Sequence, residues 1–167
     1  PEKIYRDAMN FGWDIPSLEK QEKVRVICTS PEVFVKEPRE VLDQTIQKLH
    51  AKRIVIDTMK HIETFLPEHE VRKEVYRIVN YLRLKGLTTM LLYEAPHQIG
   101  MPFATTETGL SYLSDTVILL RFVEIESSIK KAMAVLKMRG SDHDKSLREF
   151  EITSTGLKIS LPFKRYE

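Results

Sequence analysis

Cysteine is nearly absent: Cys28 is the single thiol in 167 residues. One thiol excludes an intrachain disulfide framework and fits a reducing cytoplasm. Charge of one sign is also lacking. Twenty-six Lys and Arg against 24 Asp and Glu leave a net charge of +2. That balance removes the global electrostatic case for nucleic acid, so any basic site must be local. No apolar run approaches the roughly 20 residues of a bilayer-spanning helix. The opening "PEKIYRDAMN" is charged and lacks the apolar centre of a signal peptide. The five histidines, His50, His61, His69, His97 and His143, show no paired metal-ligand spacing, and Glu68-His69-Glu70 is not a zinc motif. Neither G-x-S-x-G nor the phosphate loop G-x-x-x-x-G-K-[ST] occurs.

What is present is a globular composition, 42% hydrophobic and 30% charged. It is long enough for one domain with a real core. "EKIYRDAMNFG" places Ile4, Ala8 and Phe11 at helical spacing, with Gly12 as a stop. "VRVIC" (24–28), short and β-branched, reads as a strand. "PREVLDQTIQKLH" (38–50) reads as a helix with Pro38 in its first turn and an apolar stripe at Val41, Leu42, Thr45, Ile46 and Leu49. "RIVID" (53–57) is an apolar strand ending in an acid. The clearest helix is 68–86, where Val71, Val75, Ile78, Val79 and Leu82 share a face. Strands come next at 87–94, 115–125, 131–137, 148–152 and 156–160, with "ESSIK" as a turn. Helix–strand alternation in the first two-thirds predicts a parallel sheet covered by helices. The strand-after-strand last third predicts an antiparallel extension at one edge of that sheet. Ligands of parallel sheets gather at the strands' carboxyl ends, where Asp57 and Glu94 fall.

The densest basic stretch is "LKMRGSDHDK" (136–145). Lys137 and Arg139, two apart on a strand, point to one face. Arginine grips phosphate bidentately and lysine acts as a point charge. His143 and Lys145 repeat the spacing beyond Gly140, which lets the backbone turn. The plainer reading is a solvated turn balanced by Asp142 and Asp144. Asp57, after a buried strand, has the placement of a magnesium-associated acid. Alone it reads more simply as a turn residue before Thr58. The hydroxyl-rich "FATTETGLSYLSDT" (103–116) reads as a capping loop or a phosphate acceptor.

In order and spacing, these segments resemble the KaiC family, RecA-like ATPases that include the cyanobacterial circadian clock protein. Residues 1–32, with "FGWD", are similar to the region after the family's second core strand. "RIVID" matches its magnesium-associated acidic strand. Residues 113–153 are similar to the end of the ATPase domain, nearest the second, autokinase domain. The resemblance implies an α/β, RecA-like P-loop NTPase core: a mostly parallel sheet flanked by helices, with antiparallel strands at the C-terminal end. It implies ATP and Mg²⁺ as cofactors, with ATP shared across a subunit boundary of a ring. Lys137, Met138, Arg139, Ser141, His143 and Lys145 would face nucleotide held by a neighbour. Lys131 stands where the family has an arginine near the same nucleotide, and Trp13 matches a tryptophan near the nucleotide in cis. Asp57 and Arg139 take the catalytic roles, Asp57 beside the metal. Thr106 and Ser111 align with hydroxyls that accept or relay phosphate, while Tyr112 replaces a phosphorylated threonine.

The family's phosphate loop and paired catalytic glutamates precede the matched region. Residues 1–167 are therefore expected to form a single, incomplete KaiC-like ATPase domain without its N-terminal P-loop unit. Alone it should be inactive, and it should self-associate or join full-length KaiC-like subunits. The second reading is a non-catalytic RecA-like interaction module that docks onto full-length relatives. Neither reading involves a membrane, and both place the chain in the cytoplasm.

Overall fold

The computed structural model describes residues 1–94 and 110–163, and of residues 110 and 111 only the backbone. The chain divides into two compact units, Pro1–Glu94 and Ala95–Glu167.

In the first unit, helices α1 (Glu2–Met9), α2 (Ile15–Lys20), α3 (Pro31–Lys36) and α4 (Pro38–Lys48) precede strand β1 (Arg53–Ile56). Helices α5 (Lys60–Phe65) and α6 (Glu68–Leu84) then lead to strand β2 (Thr88–Leu91). Gly12 ends the turn after α1 at φ +76°, a conformation open to glycine, and the Trp13 N–H returns to the Ala8 carbonyl at 3.0 Å. The short α2 and α3 start at side-chain caps: Asp14 accepts from the Ser17 N–H at 3.0 Å, and Ser30 from the Val33 N–H at 3.3 Å. β1 and β2 pair in parallel, from Arg53 opposite Thr88 to Ile56 opposite Leu91. Parallel neighbours need a crossover, here supplied by α5 and α6.

The apolar stripe of α6 forms the core with α3, α4 and α5. Val75, Ile78 and Leu82 are essentially inaccessible, as is Met59 before α5, and Leu42 and Ile62 are buried with them. Two polar ties brace the helices. Asp43 on α4 accepts from the Tyr81 hydroxyl at 2.6 Å and pairs with Lys85 at 2.7 Å, and Arg77 on α6 donates to the Val35 carbonyl. Burial, together with the Asp43 carboxylate, pushes the Tyr81 phenol above its ordinary range.

The second unit is a meander. A 3-10 turn (Leu110–Leu113) leads into β3 (Thr116–Ile125), β4 (Ser128–Met138), β5 (Arg148–Thr153) and β6 (Gly156–Pro162). These four strands form one antiparallel sheet in sequence order. The β3–β4 hairpin turns at Glu126 and Ser127, both left-handed (φ 51° and 59°), as a two-residue loop with the twist of its strands requires.

Two expectations are corrected. Residues 24–28 carry no strand: Val24 and Val26 alternate with exposed neighbours, but no strand pairs with them among the described residues. The Val26 N–H goes instead to the Glu19 carboxylate at 2.8 Å, so β-propensity without a ladder partner leaves an extended segment. β1 is not buried on both faces: Val55, opposite Met90, is 58% exposed. The antiparallel strands pair in the order β3-β4-β5-β6 and the parallel pair is β1-β2.

Candidate functional site

The basic stretch lies where β4 ends. Its register against β3 is regular from Ser128 to Val135, then skips Leu136, so that Lys137 faces Val117 and Met138 faces Thr116. Such a bulge adds one residue to a strand and re-aims the side chains beyond it. Lys137 and Lys131 would share a face in an unbroken strand. The register instead assigns Lys131, opposite Phe122, to one face and Lys137, opposite Val117, to the other.

Beyond the bulge, Lys137 and Arg139 converge on residues 112–115. The Lys137 ammonium donates to the Ser114 carbonyl at 2.7 Å. The Arg139 guanidinium donates to the Tyr112 carbonyl at 2.9 Å and pairs with the Asp115 carboxylate at 3.3 Å. The Arg139 N–H also donates to the Asp115 carbonyl at 2.9 Å, one step past the last ladder pair. The expectation of a shared direction is thus met for these two cations. Gly140, at φ +76°, then reverses the backbone, where a side chain would be strained.

The loop after Gly140 is held by local bonds. Asp144 accepts from the Ser146 N–H at 2.8 Å and from Arg148 at 2.6 Å, and Lys145 pairs with Asp142 at 3.4 Å in full exposure. Arg148 also donates to the Ser160 carbonyl at 3.1 Å, tying the loop to β6. Within this ordered loop, both ring nitrogens of His143 are buried without a hydrogen-bond partner among the described residues. Leaving a buried polar group unpaired costs about 1–3 kcal/mol. Met138 and Ser141 are exposed on either side of Gly140.

Bonds from Ser146, reinforced by Arg148, lower the Asp144 carboxyl from 3.8 to about 2. A depressed carboxylate stabilises the fold fully above its unfolded value, and that contribution is lost as pH falls through the folded one. The loop should therefore loosen between about pH 4 and pH 2. Titrating the Asp144 side-chain carboxyl by ¹³C NMR should give a midpoint near 2. A midpoint at 3.8 would show that the Ser146 and Arg148 contacts do not persist in solution.

In the first unit, Asp57 is exposed immediately beyond β1, and its peptide bond to Thr58 is cis. The Thr58 hydroxyl donates to the Leu92 carbonyl at 3.1 Å, fastening the carboxyl ends of β1 and β2 together. Tyr93, just past β2, was not singled out by the sequence. Its hydroxyl is buried without a partner among the described residues, and burial, with the Glu63 carboxylate nearby, raises its pKa. Trp13 is 57% exposed and lies against Phe11, with ring centroids 5.6 Å apart. Thr106 lies outside the described residues. So does the side chain of Ser111, whose backbone is in the 3-10 turn. The described residues include no cluster of three metal-ligating side chains and no helix long and apolar enough to cross a membrane.

Comparison with known proteins places this geometry in a family. The family model described as "ATPase: KaiC" matches residues 1–162. The circadian clock protein KaiC3 of Synechocystis is 29% identical over 164 residues, 98% of this chain and 32% of that protein. The circadian clock oscillator protein KaiC of Nostoc is 30% identical over 166 residues, 99% of this chain and 32% of that protein. The chain therefore spans about a third of the length of these relatives. Among solved structures, the KaiC-like protein PH0186 from Pyrococcus horikoshii superimposes with a TM-score of 0.81 at 25% identity, covering 96% of this chain and 70% of that one. The α/β RecA-like fold, with its parallel and antiparallel strand regions, is thus shared with a KaiC-like structure, and with a family match over nearly its whole length the chain belongs to the KaiC family of ATPases.

Proposed function

We propose that the chain is part of a KaiC-like ATPase domain and supplies the phosphate-contacting segment of an ATP site completed by a neighbouring subunit. One observation carries this reading. The bulge at Leu136 turns Lys137 and Arg139 onto a common segment, and the loop beyond Gly140 holds His143, whose two buried ring nitrogens have no partner among the described residues. Two of the five guanidinium N–H donors of Arg139 have partners among the described residues, so donors remain for phosphate oxygens. Arg139 would neutralise charge developing on a transferred phosphoryl group, with Lys137 and Lys145 as point charges. Met138, Ser141 and His143 join on the family pattern, and the buried nitrogens of His143 would reach nucleotide on a shift of its loop. Lys131 joins on the family pattern alone, since the register carries it to the other face of β4.

Asp57 fits the commonest manner of holding Mg²⁺, one carboxylate alongside phosphate oxygens, and needs no all-protein cage. In the family domain the ion would supply charge neutralisation. Asp57 would orient it or the attacking water, and Trp13 would lie near nucleotide in cis. Thr106 and Ser111 are the hydroxyls proposed to receive phosphate, from a partner with a complete active site. On this reading residues 1–167 belong to one ATPase domain, and their partner is another KaiC-like subunit.

Titrating the chain into a family subunit that contains a phosphate loop, with and without ATP–Mg²⁺, tests the proposal. Association should be at least tenfold tighter with nucleotide. Equal affinity in both conditions would reduce the family likeness to one of fold.

A further inference from the structure

The contacts around Arg139 carry a consequence for regulation of the same site, and it rests on the phosphate-contacting reading above. We propose that Asp115 is an internal competitor for the anion that Arg139 receives, which makes residues 112–115 a latch on the phosphate-contacting segment. The two residues are apposed by backbone, not by the chance meeting of two long side chains. The Arg139 N–H bonds the Asp115 carbonyl at 2.9 Å, immediately beyond the Thr116–Met138 pair. That apposition holds the Asp115 carboxylate 3.3 Å from the guanidinium Nη1, while Nη2 is engaged by the Tyr112 carbonyl. The neighbouring Lys137 is held by the Ser114 carbonyl.

Of these three acceptors, two backbone carbonyls and one carboxylate, only the Asp115 carboxylate carries a full charge. The carbonyls orient the two cations without neutralising them. The carboxylate offsets the guanidinium charge and repels a phosphate that approaches the same edge. Asp115 and Arg139 are 68% and 54% exposed, so water can solvate the carboxylate when a polyphosphate takes its place on the guanidinium. Anion binding is then coupled to the 112–115 segment and, through it, to the 3-10 turn Leu110–Leu113.

The test uses the full chain and inorganic tripolyphosphate at low salt, followed through the Gly140 backbone amide by NMR. Asp115→Asn preserves size and an acceptor oxygen but removes the charge. It should tighten binding about two- to fivefold, the range of an exposed ion pair. Asp115→Ala should act in the same direction. The gain should shrink as salt rises, because exposed charges are screened. Unchanged or weaker binding by both variants would overturn the latch, as would no detectable binding by any of the three proteins. Arg139→Ala separates the two proposals. Its binding should be lost; if it titrates like wild type, the phosphate-contacting reading itself fails and takes the latch with it.

Discussion

Arg139→Ala should weaken ATP-dependent association with a phosphate-loop-containing family subunit by about 2–4 kcal/mol, the cost of losing a partly desolvated charged contact to phosphate. The geometry makes this residue the sharpest probe. The Tyr112 carbonyl, which phosphate need not displace, already orients its guanidinium, so less orientational freedom remains to be lost on binding. Arg139→Lys should recover only part of the loss, since an ammonium keeps the charge but not the planar fork. Lys48→Ala is the control. It breaks only an exposed ion pair with Glu22 in the other unit and should remain within about 0.5 kcal/mol of wild type. Arg148 cannot serve as a neutral site, although it looks remote in sequence. It holds Asp144 and the Ser160 carbonyl, so its removal would free the loop that carries His143. A solvated-turn account of residues 136–145 predicts no difference among Arg139→Ala, Arg139→Lys and Lys48→Ala.

Leu82→Ala should destabilise the first unit by about 2–5 kcal/mol, the range for deleting a fully buried leucine whose surroundings cannot collapse into the space. Leu82 is completely inaccessible on the core face of α6. Leu84, two residues on, is 87% exposed, and Leu84→Ala should cost less than about 0.5 kcal/mol. Urea unfolding followed by far-UV circular dichroism measures both. Similar midpoint shifts for the two variants would mean that α6 does not pack on its Val75–Ile78–Leu82 face.

The elements legible in the sequence are those whose pattern is set locally. The 3.6-residue spacing of Val71, Val75, Ile78 and Leu82 specified α6 and its buried face together. The apolar, β-branched run at 115–125 similarly marked β3, although its alternating burial shows only in the folded sheet. Features that depend on a partner were not legible. Residues 24–28 have a strand's composition, but only a ladder makes a strand, and Val26 bonds a side chain instead. The short helices α2, α3 and α5 are too brief for periodicity to show.

For the candidate site, the clustering of Lys137, Arg139, His143 and Lys145 was evident from spacing. Their arrangement was not. The skipped register at Leu136 is set by β3, so nothing within 131–139 shows that Lys131 and Lys137 part to opposite faces. Nor does spacing reveal that Asp115, 24 residues earlier, apposes Arg139. The His143 nitrogens and Tyr93 hydroxyl, without partners among the described residues, are facts of burial, which a polar residue in a loop does not announce.

The central claim, that the β4 end meets nucleotide phosphate held by another subunit, is tested most directly by chemical proximity. An ATP derivative with an acyl group on its γ-phosphate transfers that group to a lysine amine lying against the phosphates, forming an amide and releasing ATP. The chain would be mixed with a phosphate-loop-containing family subunit, treated with this reagent, and its lysines mapped by mass spectrometry. The account predicts acylation concentrated at Lys137, with Lys145 next, and suppression of both by excess ATP. Labelling of the subunit's own phosphate-loop lysine, with Lys137 no more modified than the exposed Lys48, would contradict it.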